Sequence, residues 1–397
     1  MKKWIALIAG VMVQVVLGGV YAWSAFAKML NEKYSISKSD TGLIFGVSIA
    51  AFTLTMIPAT KLLNRFGPRV TASLGAILFA AGYAIASFSG GNYIIMLIAL
   101  GVVTGAGIGL GYSAPLVVGM KWFPKNRGLI TGIAVGGFGA GAIILKAFIA
   151  YLANEHNLDV FQIFFYVAVT MGPIALLGAA GLFKPAKKDQ PAESKIESLQ
   201  TSPIRHHIIS PAFMLFCVGL FASTFAGLLV IGNLESLATN LGLDAASIGK
   251  SISIFAIGNA AGRIIWGQVH DKIGSRKTIL FSLLSLAIPM GLLLVAQNST
   301  QYLWLFFFVG AGFGSSFIAY ASSVVDYFSV DLFAKLYPIC FLSYGLAALI
   351  GPKVGGAIAD ATGSYTPAII TSAAIVFAGF AVLAFFLPAP SQKNIAK

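Results

Sequence analysis

Asp271-Lys-Ile-Gly274-Ser-Arg276 follows one long apolar stretch of the chain, and it matches Asn64-Arg-Phe-Gly67-Pro-Arg69, which lies 207 positions earlier. A second pair of matching segments, Gly105-Ala-Gly-Ile-Gly109 and Gly310-Ala-Gly-Phe-Gly314, is separated by 205 positions. Because the two offsets nearly agree, we predict that the chain contains two related halves that run in the same direction.

The composition predicts an all-α membrane protein. Of the 397 residues, 58% are hydrophobic and only 10% are charged, whereas soluble domains contain about 25% charged residues. A membrane-spanning helix needs roughly 20 apolar residues. Twelve stretches meet this need and predict twelve transmembrane helices in two pseudo-symmetric six-helix bundles, near residues 4–27, 41–60, 70–89, 93–117, 128–151, 161–183, 211–234, 248–269, 278–297, 301–325, 333–358 and 365–387.

A polar segment separates the two sets of six predicted spans. It is rich in Lys, Gln, Ser, Pro and Glu, a composition typical of flexible linkers. The predicted domains are an N-terminal bundle at 1–183, a cytoplasmic linker at 184–210, a C-terminal bundle at 211–390 and a cytoplasmic tail at 391–397.

The basic residues predict the orientation in the membrane. Of the 26 Lys and Arg residues, 19 lie in segments on the side of the N-terminus, four on the opposite side and three inside spans. This asymmetry predicts cytoplasmic N- and C-termini in a plasma membrane. It also accounts for the net charge of +13 without a nucleic-acid partner.

Two halves of six spans resemble the major facilitator architecture, and the two loops quoted first resemble its signature loop. Pro58 and Asn64 depart from the usual Gly and Asp in the first copy. The resemblance implies a gating role for the residues of both loops and for Arg127 at the start of span 5; the loop residues are Asn64, Arg65, Gly67, Arg69, Asp271, Lys272, Gly274 and Arg276.

Two further stretches resemble the oxalate/formate antiporter family and the monocarboxylate transporters. They are Gly18-Gly-Val-Tyr21-Ala-Trp23-Ser24-Ala-Phe26 in span 1 and Trp122-Phe-Pro-Lys-Asn-Arg127-Gly-Leu-Ile-Thr-Gly132 between spans 4 and 5. Carriers of this kind hold a substrate carboxylate with an Arg in span 8, which this chain matches at Arg263.

Arg263 also stands out without the resemblance. It lies in an apolar stretch, 251–267, that contains no acid, and a guanidinium cannot lose its charge by deprotonation. Such a charge inside a bilayer is costly. We therefore predict that Arg263 binds an anionic substrate. Asn259, one turn earlier on the same helix face, is predicted to orient the guanidinium or to contact the substrate.

Five more residues are candidates for substrate contact. Oxalate carriers have a second cation in span 11, where this chain has Tyr344, which favours a monocarboxylate over a dicarboxylate. Tyr112 in span 4 and Tyr320 in span 10 are predicted to present phenols. Lys146 and Lys353 lie near the outer ends of spans 5 and 11 and are predicted to attract anions or to snorkel.

These features predict a monomeric secondary transporter of small carboxylates such as lactate or pyruvate, without a cofactor, metal or catalytic site. All thirteen acids can be placed outside the deep cavity, so no buried proton-binding carboxylate is expected, and proton cotransport and anion exchange both remain open. The alternatives are an oxalate/formate-type dicarboxylate antiporter that uses Lys146 or Lys353 as its second cation, and a transporter-derived membrane sensor.

Overall fold

The computed structural model describes residues 2–123, 127–183, 204–328 and 330–389, and the described chain is helical with short connections. The linker prediction falls largely on 184–203, and the tail prediction on 391–397; both lie outside the described residues. The helices of the first half are α1 (Lys2–Gly18), a 3-10 turn (Gly19–Ala22), α2 (Trp23–Tyr34), α3 (Lys38–Ser87), α4 (Tyr93–Met96), a π-helix (Leu97–Val103), α5 (Thr104–Trp122), α6 (Arg127–Glu155) and α7 (Val160–Ala180).

The second half repeats this pattern after a short helix. Its elements are α8 (Ile204–Ile208), α9 (Pro211–Gly232), α10 (Leu234–Asn240), α11 (Ala245–Ile273), α12 (Ser275–Leu292), α13 (Ser299–Phe328), α14 (Val330–Thr362) and α15 (Thr366–Phe386).

Polar side chains start several of these helices at the membrane surface. The Asp159 carboxylate accepts hydrogen bonds from the backbone N–H groups of Phe161 and Gln162, which would otherwise lack partners. Asp244 caps α11 in the same way. Hydrogen bonds from the Ser299 and Ser247 side chains lower the pKa of the Asp244 carboxyl to about 2, so this cap is charged at neutral pH.

Glycine makes the turn in both signature loops. Gly67 has φ 84° and Gly274 has φ 76°, a region that residues with a Cβ rarely adopt. The turn at Gly67 divides α3 into predicted spans 2 and 3, and the turn at Gly274 separates α11 from α12. Within the described ranges, nine helical segments are long and apolar enough to cross a membrane, with α3 counted once. This arrangement is compatible with the predicted twelve crossings.

The Gly-x-Gly-x-Gly runs bring neighbouring helices into backbone contact. A Cβ on Gly105 of α5 would lie 2.3 Å from the Ser48 carbonyl oxygen of α3. In the second half, a Cβ on Gly310 of α13 would lie 2.2 Å from the Phe255 carbonyl oxygen of α11. The same type of close approach therefore occurs between spans 2 and 4 and between spans 8 and 10.

The last helix of each half is held at its C-terminal end by an equivalent pair of side chains. The Trp122 indole donates to the Phe183 carbonyl (2.6 Å) and the Tyr327 hydroxyl to the Pro388 carbonyl (2.6 Å). Arg69 lies 4.1 Å from the Phe183 ring centroid. We call this end of the bundle, which also carries Gly67 and Gly274, the inner end, and the opposite end the outer end, following the predicted orientation.

The two halves meet along two pairs of helices. α3 packs against α14, and α6 packs against α11. At the outer end, α2 also contacts α9 and α10. These contacts place the middle of α6 and α11 at the centre of the molecule, where Arg263 lies.

Candidate functional site

The Arg263 side chain is fully buried on α11 and uses only part of its hydrogen-bonding capacity. Its Nε donates to Asn259 Oδ1 (3.1 Å), and its Nη1 donates to the Val135 carbonyl oxygen of α6 (2.7 Å). Nη2 has no hydrogen-bond partner among the described residues. The predicted contact between Arg263 and Asn259 is therefore present, and it leaves one side of the guanidinium unsatisfied.

Two aromatic rings, one from each half, flank the guanidinium. Its central carbon lies 4.3 Å from the Phe317 ring centroid and 5.7 Å from that of Phe138. Among the described residues, no carboxylate lies within 4.0 Å of Arg263. Cation–π contacts of about 2 kcal/mol offset only part of the cost of burying this charge. A charge left in this condition favours an external anion.

An aromatic cluster surrounds this position, and we call it the central cluster. The Tyr112 ring stacks on Phe341 (centroids 6.0 Å apart) and meets Phe138 edge-on (5.3 Å). The full set comprises Tyr21, Phe52, Tyr112, Phe138, Phe313, Phe317, Phe341 and Tyr344. Both halves contribute rings, so any relative movement of the halves rearranges this cluster.

Tyr21 is a member of the central cluster that the sequence analysis did not select. Its hydroxyl lies 2.8 Å from the Tyr344 hydroxyl, which joins span 1 to span 11 across the two halves. Its phenol is also close enough to the Arg263 guanidinium to interact electrostatically. Tyr21 lies in the Gly18–Phe26 stretch that was quoted for its resemblance to the carrier families. In the structure this stretch forms a 3-10 turn at Gly19–Ala22. A change of helix type within a span often marks a functional position.

Tyr320, by contrast, does not join the central cluster. Its ring packs against Phe216 within the second half, and its hydroxyl lies beside Gly219 of α9. This hydroxyl is buried and has no hydrogen-bond partner among the described residues. Tyr320 and Tyr112 occupy nearly equivalent positions in the repeat, but Tyr320 does not lie beside Arg263. The two halves surround these equivalent positions with different side chains.

Lys146 and Lys353 are also away from the centre, at the outer end. Lys146 Nζ lies 3.0 Å from Glu235 Oε1 and donates to the Gly249 carbonyl oxygen (2.6 Å), both in the other half. Lys353 is exposed and makes no ion pair with a described residue. Neither ammonium acts as a second cation beside Arg263 in this conformation.

The Glu235 carboxylate is buried, with 10% of its side chain exposed, which the sequence analysis did not predict. The sequence indicated only that all thirteen acids can lie outside the deep cavity, and Glu235 follows the end of an apolar helix. The fold instead covers it, because α2 packs against α10 and Lys146 reaches it from α6. A second ion pair between the halves, Lys38 with Asp360 (3.9 Å), is more exposed.

The two signature loops differ in their polar contacts. In the second loop, the Ser275 hydroxyl donates to Asp326 and contacts the His270 ring, while Asp271 is largely exposed. His270 lies 3.1 Å from Asp326. The corresponding residues of the first repeat are Leu63, Pro68 and Lys121, which offer no equivalent set. Asp271 could be selected from its motif, but this group could not, because its members are separated by up to 56 positions.

The remaining loop residues are exposed or turn-forming. Asn64 and Arg65 are exposed, and Arg65 lies over the Phe66 ring (5.1 Å). Lys272 is exposed, and Arg276 Nη2 donates to the Ala384 carbonyl oxygen (2.9 Å). Arg127 begins α6, and its side chain lies outside what the structure describes.

The centre of the molecule is tightly packed. A cavity of about 10 Å³, which borders Trp23 and Ser48 in the first half, has room for a single water. A larger groove of about 340 Å³ is apolar and lies between α12 and α15, away from Arg263. A ligand could reach Arg263 only if the side chains that surround it separated.

Comparison with known proteins places this arrangement in a family. A family model described as the Major Facilitator Superfamily matches residues 7–233 and, a second time, residues 212–397. The first match covers the first half and extends through α9, and the second match covers the second half.

Several curated relatives align over most of the chain. An uncharacterized MFS-type transporter, YhjX, of Escherichia coli is 28% identical over 87% of this chain and 86% of its own length. The oxalate:formate antiporter of Oxalobacter formigenes is 24% identical over 98% and 92%, respectively. Monocarboxylate transporter 13 of Bos taurus is 22% identical over 96% and 89%. These matches confirm the resemblance predicted from the motifs, and the chain belongs to the Major Facilitator Superfamily of multi-pass membrane transporters.

Proposed function

We propose that this protein is a secondary active transporter of small monocarboxylate anions of the lactate or pyruvate type. It acts as a monomer in the plasma membrane, with both termini in the cytoplasm, and works by alternating access between the two halves. The observation that carries this proposal is the buried Arg263, which has, among the described residues, no acid beside it and no hydrogen-bond partner for its Nη2.

The free donors around Arg263 suit one carboxylate. Nη2 of Arg263 and Nδ2 of Asn259 are both buried and without partners among the described residues. A bound carboxylate has two oxygens and would accept from both, which offsets the cost of burying these donors. Binding would also neutralise the guanidinium. Only the occupied carrier then has a compensated charge at its centre, which favours its reorientation across the membrane.

The phenols around Arg263 suit the rest of a small hydroxy or keto acid. Tyr21 and Tyr344 form a hydrogen bond to each other across the halves, and either hydroxyl can donate or accept. A ligand hydroxyl or keto group could replace one partner of this bond when the halves separate. Tyr112 contributes an aromatic wall against Phe138 and Phe341.

The distribution of cations favours a monocarboxylate over a dicarboxylate. The centre holds Arg263 and the phenol of Tyr344, whereas Lys146 is paired with Glu235 and Lys353 is exposed at the outer end. A second carboxylate at the centre would have no second cation beside it, and an unpaired buried charge costs several kcal/mol. The oxalate:formate antiporter among the relatives makes dicarboxylates the natural competitor in a test.

The transport assay uses purified protein in proteoliposomes. Uptake of labelled lactate or pyruvate is measured for the wild type and for Arg263→Lys. Lys lacks the planar fork that holds a carboxylate through two hydrogen bonds. We therefore expect uptake at subsaturating substrate to fall by about 100-fold or more. Arg205→Lys, at an exposed position of α8, is the matched control and should transport like the wild type.

A ligand screen tests the substrate class independently. Thermal unfolding is measured with C2–C4 monocarboxylates and dicarboxylates, and monocarboxylates are expected to stabilise the wild type more strongly. Near-normal uptake by Arg263→Lys would contradict the role of the guanidinium. Stronger stabilisation by oxalate would favour the dicarboxylate exchanger instead. Uptake with and without an imposed pH gradient distinguishes proton cotransport from anion exchange.

A further inference from the structure

Two cations connect the same helix pair in opposite directions: Arg263 is fully buried, and Lys146 is partly buried, with 13% of its side chain exposed. Arg263 on α11 donates to the Val135 carbonyl oxygen of α6, and Lys146 on α6 donates to the Gly249 carbonyl oxygen of α11. We call the contact between α6 and α11 the seam. Val135 and Lys146 are eleven residues apart on α6, which places the two contacts about 16 Å apart along the seam.

The seam is closed between these two points. Gly139 of α6 lies against Ala260 of α11, and a Cβ on this glycine would be 3.2 Å from the Ala260 backbone nitrogen. A route between the outer end and Arg263 therefore opens along the seam only if the halves part. Lys146 lies at the outer mouth of this route and Arg263 at its central end.

Lys146 differs from Arg263 in having its own anion. Glu235 is the only described carboxylate that is buried, and its partner comes from the opposite half. The charged residues on neighbouring elements are Lys28, Glu32 and Lys33 on α2, and Asp244 and Lys250 at the start of α11. Of the described residues, only Lys146 lies within ion-pair distance of Glu235.

Opening of the outer end must separate this ion pair, because its two members belong to different halves. Lys146 then loses both Glu235 and the Gly249 carbonyl oxygen while it remains at the mouth of the seam. An ammonium that has lost its counter-charge in a partly desolvated position favours any anion that reaches it. A small carboxylate from the outer solution carries the same chemical group as the Glu235 side chain that has left.

We propose that Lys146 is a transient outer binding site for the transported carboxylate, and that Glu235 occupies this site when the outer end is closed. The incoming anion first binds Lys146 and then passes about 16 Å along the opened seam to Arg263. When the substrate has moved inward, Glu235 returns to Lys146 and closes the outer end. This inference rests on the proposed function, since it names a second binding site for the same anion.

The test compares Lys146→Gln with Glu235→Gln in proteoliposomes of defined orientation. The KM for labelled lactate is measured separately at the outer and the inner face. Lys146→Gln removes the outer site, and we expect its outer KM to rise roughly 10-fold while its inner KM stays near the wild-type value. Glu235→Gln removes the competing anion, and we expect its outer KM to fall.

The decisive result is that the outer KM changes in opposite directions in Lys146→Gln and Glu235→Gln. Both variants break the same ion pair, so a purely structural latch would shift the outer KM of both in the same direction, and that result would overturn the proposal. Lys38→Gln and Asp360→Asn break the exposed ion pair between the halves and serve as matched controls. We expect neither control to reproduce the rise in outer KM.

A double variant keeps the test valid if Glu235→Gln proves unstable. Lys146→Gln/Glu235→Gln holds no unpaired charge, and we expect it to keep the raised outer KM of Lys146→Gln. A lowered outer KM in the double variant would overturn the proposal. Absence of carboxylate transport by the wild type would instead refute the proposed function, so the two failures can be distinguished.

Discussion

The centre and the outer end of the molecule each hold a cation between the halves, fully buried at the centre and partly buried at the outer end, and the two cations differ in their partners. Arg263 at the centre has aromatic rings, an amide and a carbonyl around it and no acid within 4.0 Å among the described residues. Lys146 at the outer end has Glu235 at 3.0 Å. A cation with an internal partner stabilises one conformation of the protein, whereas a cation without one is available to a ligand.

The difference follows from the cost of charge burial. A buried ion pair contributes little net stability, but removing one partner is strongly destabilising. At the outer end, the cost of separating Lys146 from Glu235 favours the closed conformation when no anion is present. At the centre, the cost of burying Arg263 favours a bound anion. Changing the charges of either region should therefore change its behaviour, and four substitutions, one of them outside both regions, test this difference.

The largest effect is expected for Lys146→Glu. It places a second carboxylate beside Glu235 in a buried position, and we expect a loss of about 3–5 kcal/mol in the free energy of unfolding. The exchanged pair Lys146→Glu/Glu235→Lys should recover more than half of this loss. Thermal and denaturant unfolding in detergent measures both. Lys38→Glu is the matched control in the exposed pair, with an expected effect below about 1 kcal/mol. Equal losses in the free energy of unfolding for Lys146→Glu and Lys38→Glu would contradict the distinction between the two ion pairs.

The next effect is expected for Asn259→Asp, which gives the centre an internal acid like that of the outer end. The new carboxylate would accept from Arg263 Nε, where the amide oxygen does so now. The guanidinium would then be neutralised, and we expect lactate affinity to fall by about 100-fold. Asn259→Ala removes the amide without adding a charge, and it should lose about 10-fold. Calorimetric binding measures both, and wild-type affinity in Asn259→Asp would refute the argument.

A smaller effect is expected for Tyr344→Lys, which adds a second cation to the centre. The new ammonium would lie in the central cluster near Arg263, and we expect the affinity ratio of oxalate to lactate to rise about 10-fold. Tyr344→Phe is the matched control, since it removes the hydrogen bond to Tyr21 without adding a charge. Competition of both acids for labelled substrate measures the ratio. An unchanged ratio in Tyr344→Lys would show that the second cation does not decide between the two classes.

The smallest effect is expected for Tyr320→Phe. Its hydroxyl is buried without a described hydrogen-bond partner, and it lies outside the central cluster. Removing it should leave transport unchanged and the free energy of unfolding within about 0.5 kcal/mol of wild type or slightly higher. Uptake assays and thermal unfolding check this. A loss of transport comparable to that of Tyr344→Phe would place Tyr320 in the substrate path after all.

Most of the fold could be predicted because its signals are local or periodic. Apolar length predicted the long helices, of which nine segments among the described residues are long and apolar enough to cross a membrane, and the 205–207 offset predicted the repeat. Gly67 and Gly274 could be selected from their motifs, and the structure supplies the reason, a positive φ at the turn. The two Gly-x-Gly-x-Gly runs indicated the repeat, and the structure adds that both bring neighbouring helices into backbone contact.

The candidate site could be predicted only in part. Arg263 and Asn259 lie one turn apart on one helix, so their contact follows from helix geometry. Glu235 was expected only to lie outside the deep cavity, together with the other acids, and Tyr21 was quoted without a role. Their partners, Lys146 and Tyr344, are 89 and 323 positions away and belong to the other half. No local pattern indicates which residues of two separate bundles will face each other.

The sequence by itself determined the class of protein, its long apolar helices, the repeat and the presence of one deep cation without an acid in its own segment. These properties depend on composition and on helix periodicity, which act along the chain. Only the tertiary structure decided which cation has a partner. It paired Lys146 with Glu235 and left one side of Arg263 free, because burial and pairing depend on which side chains the packed halves bring together.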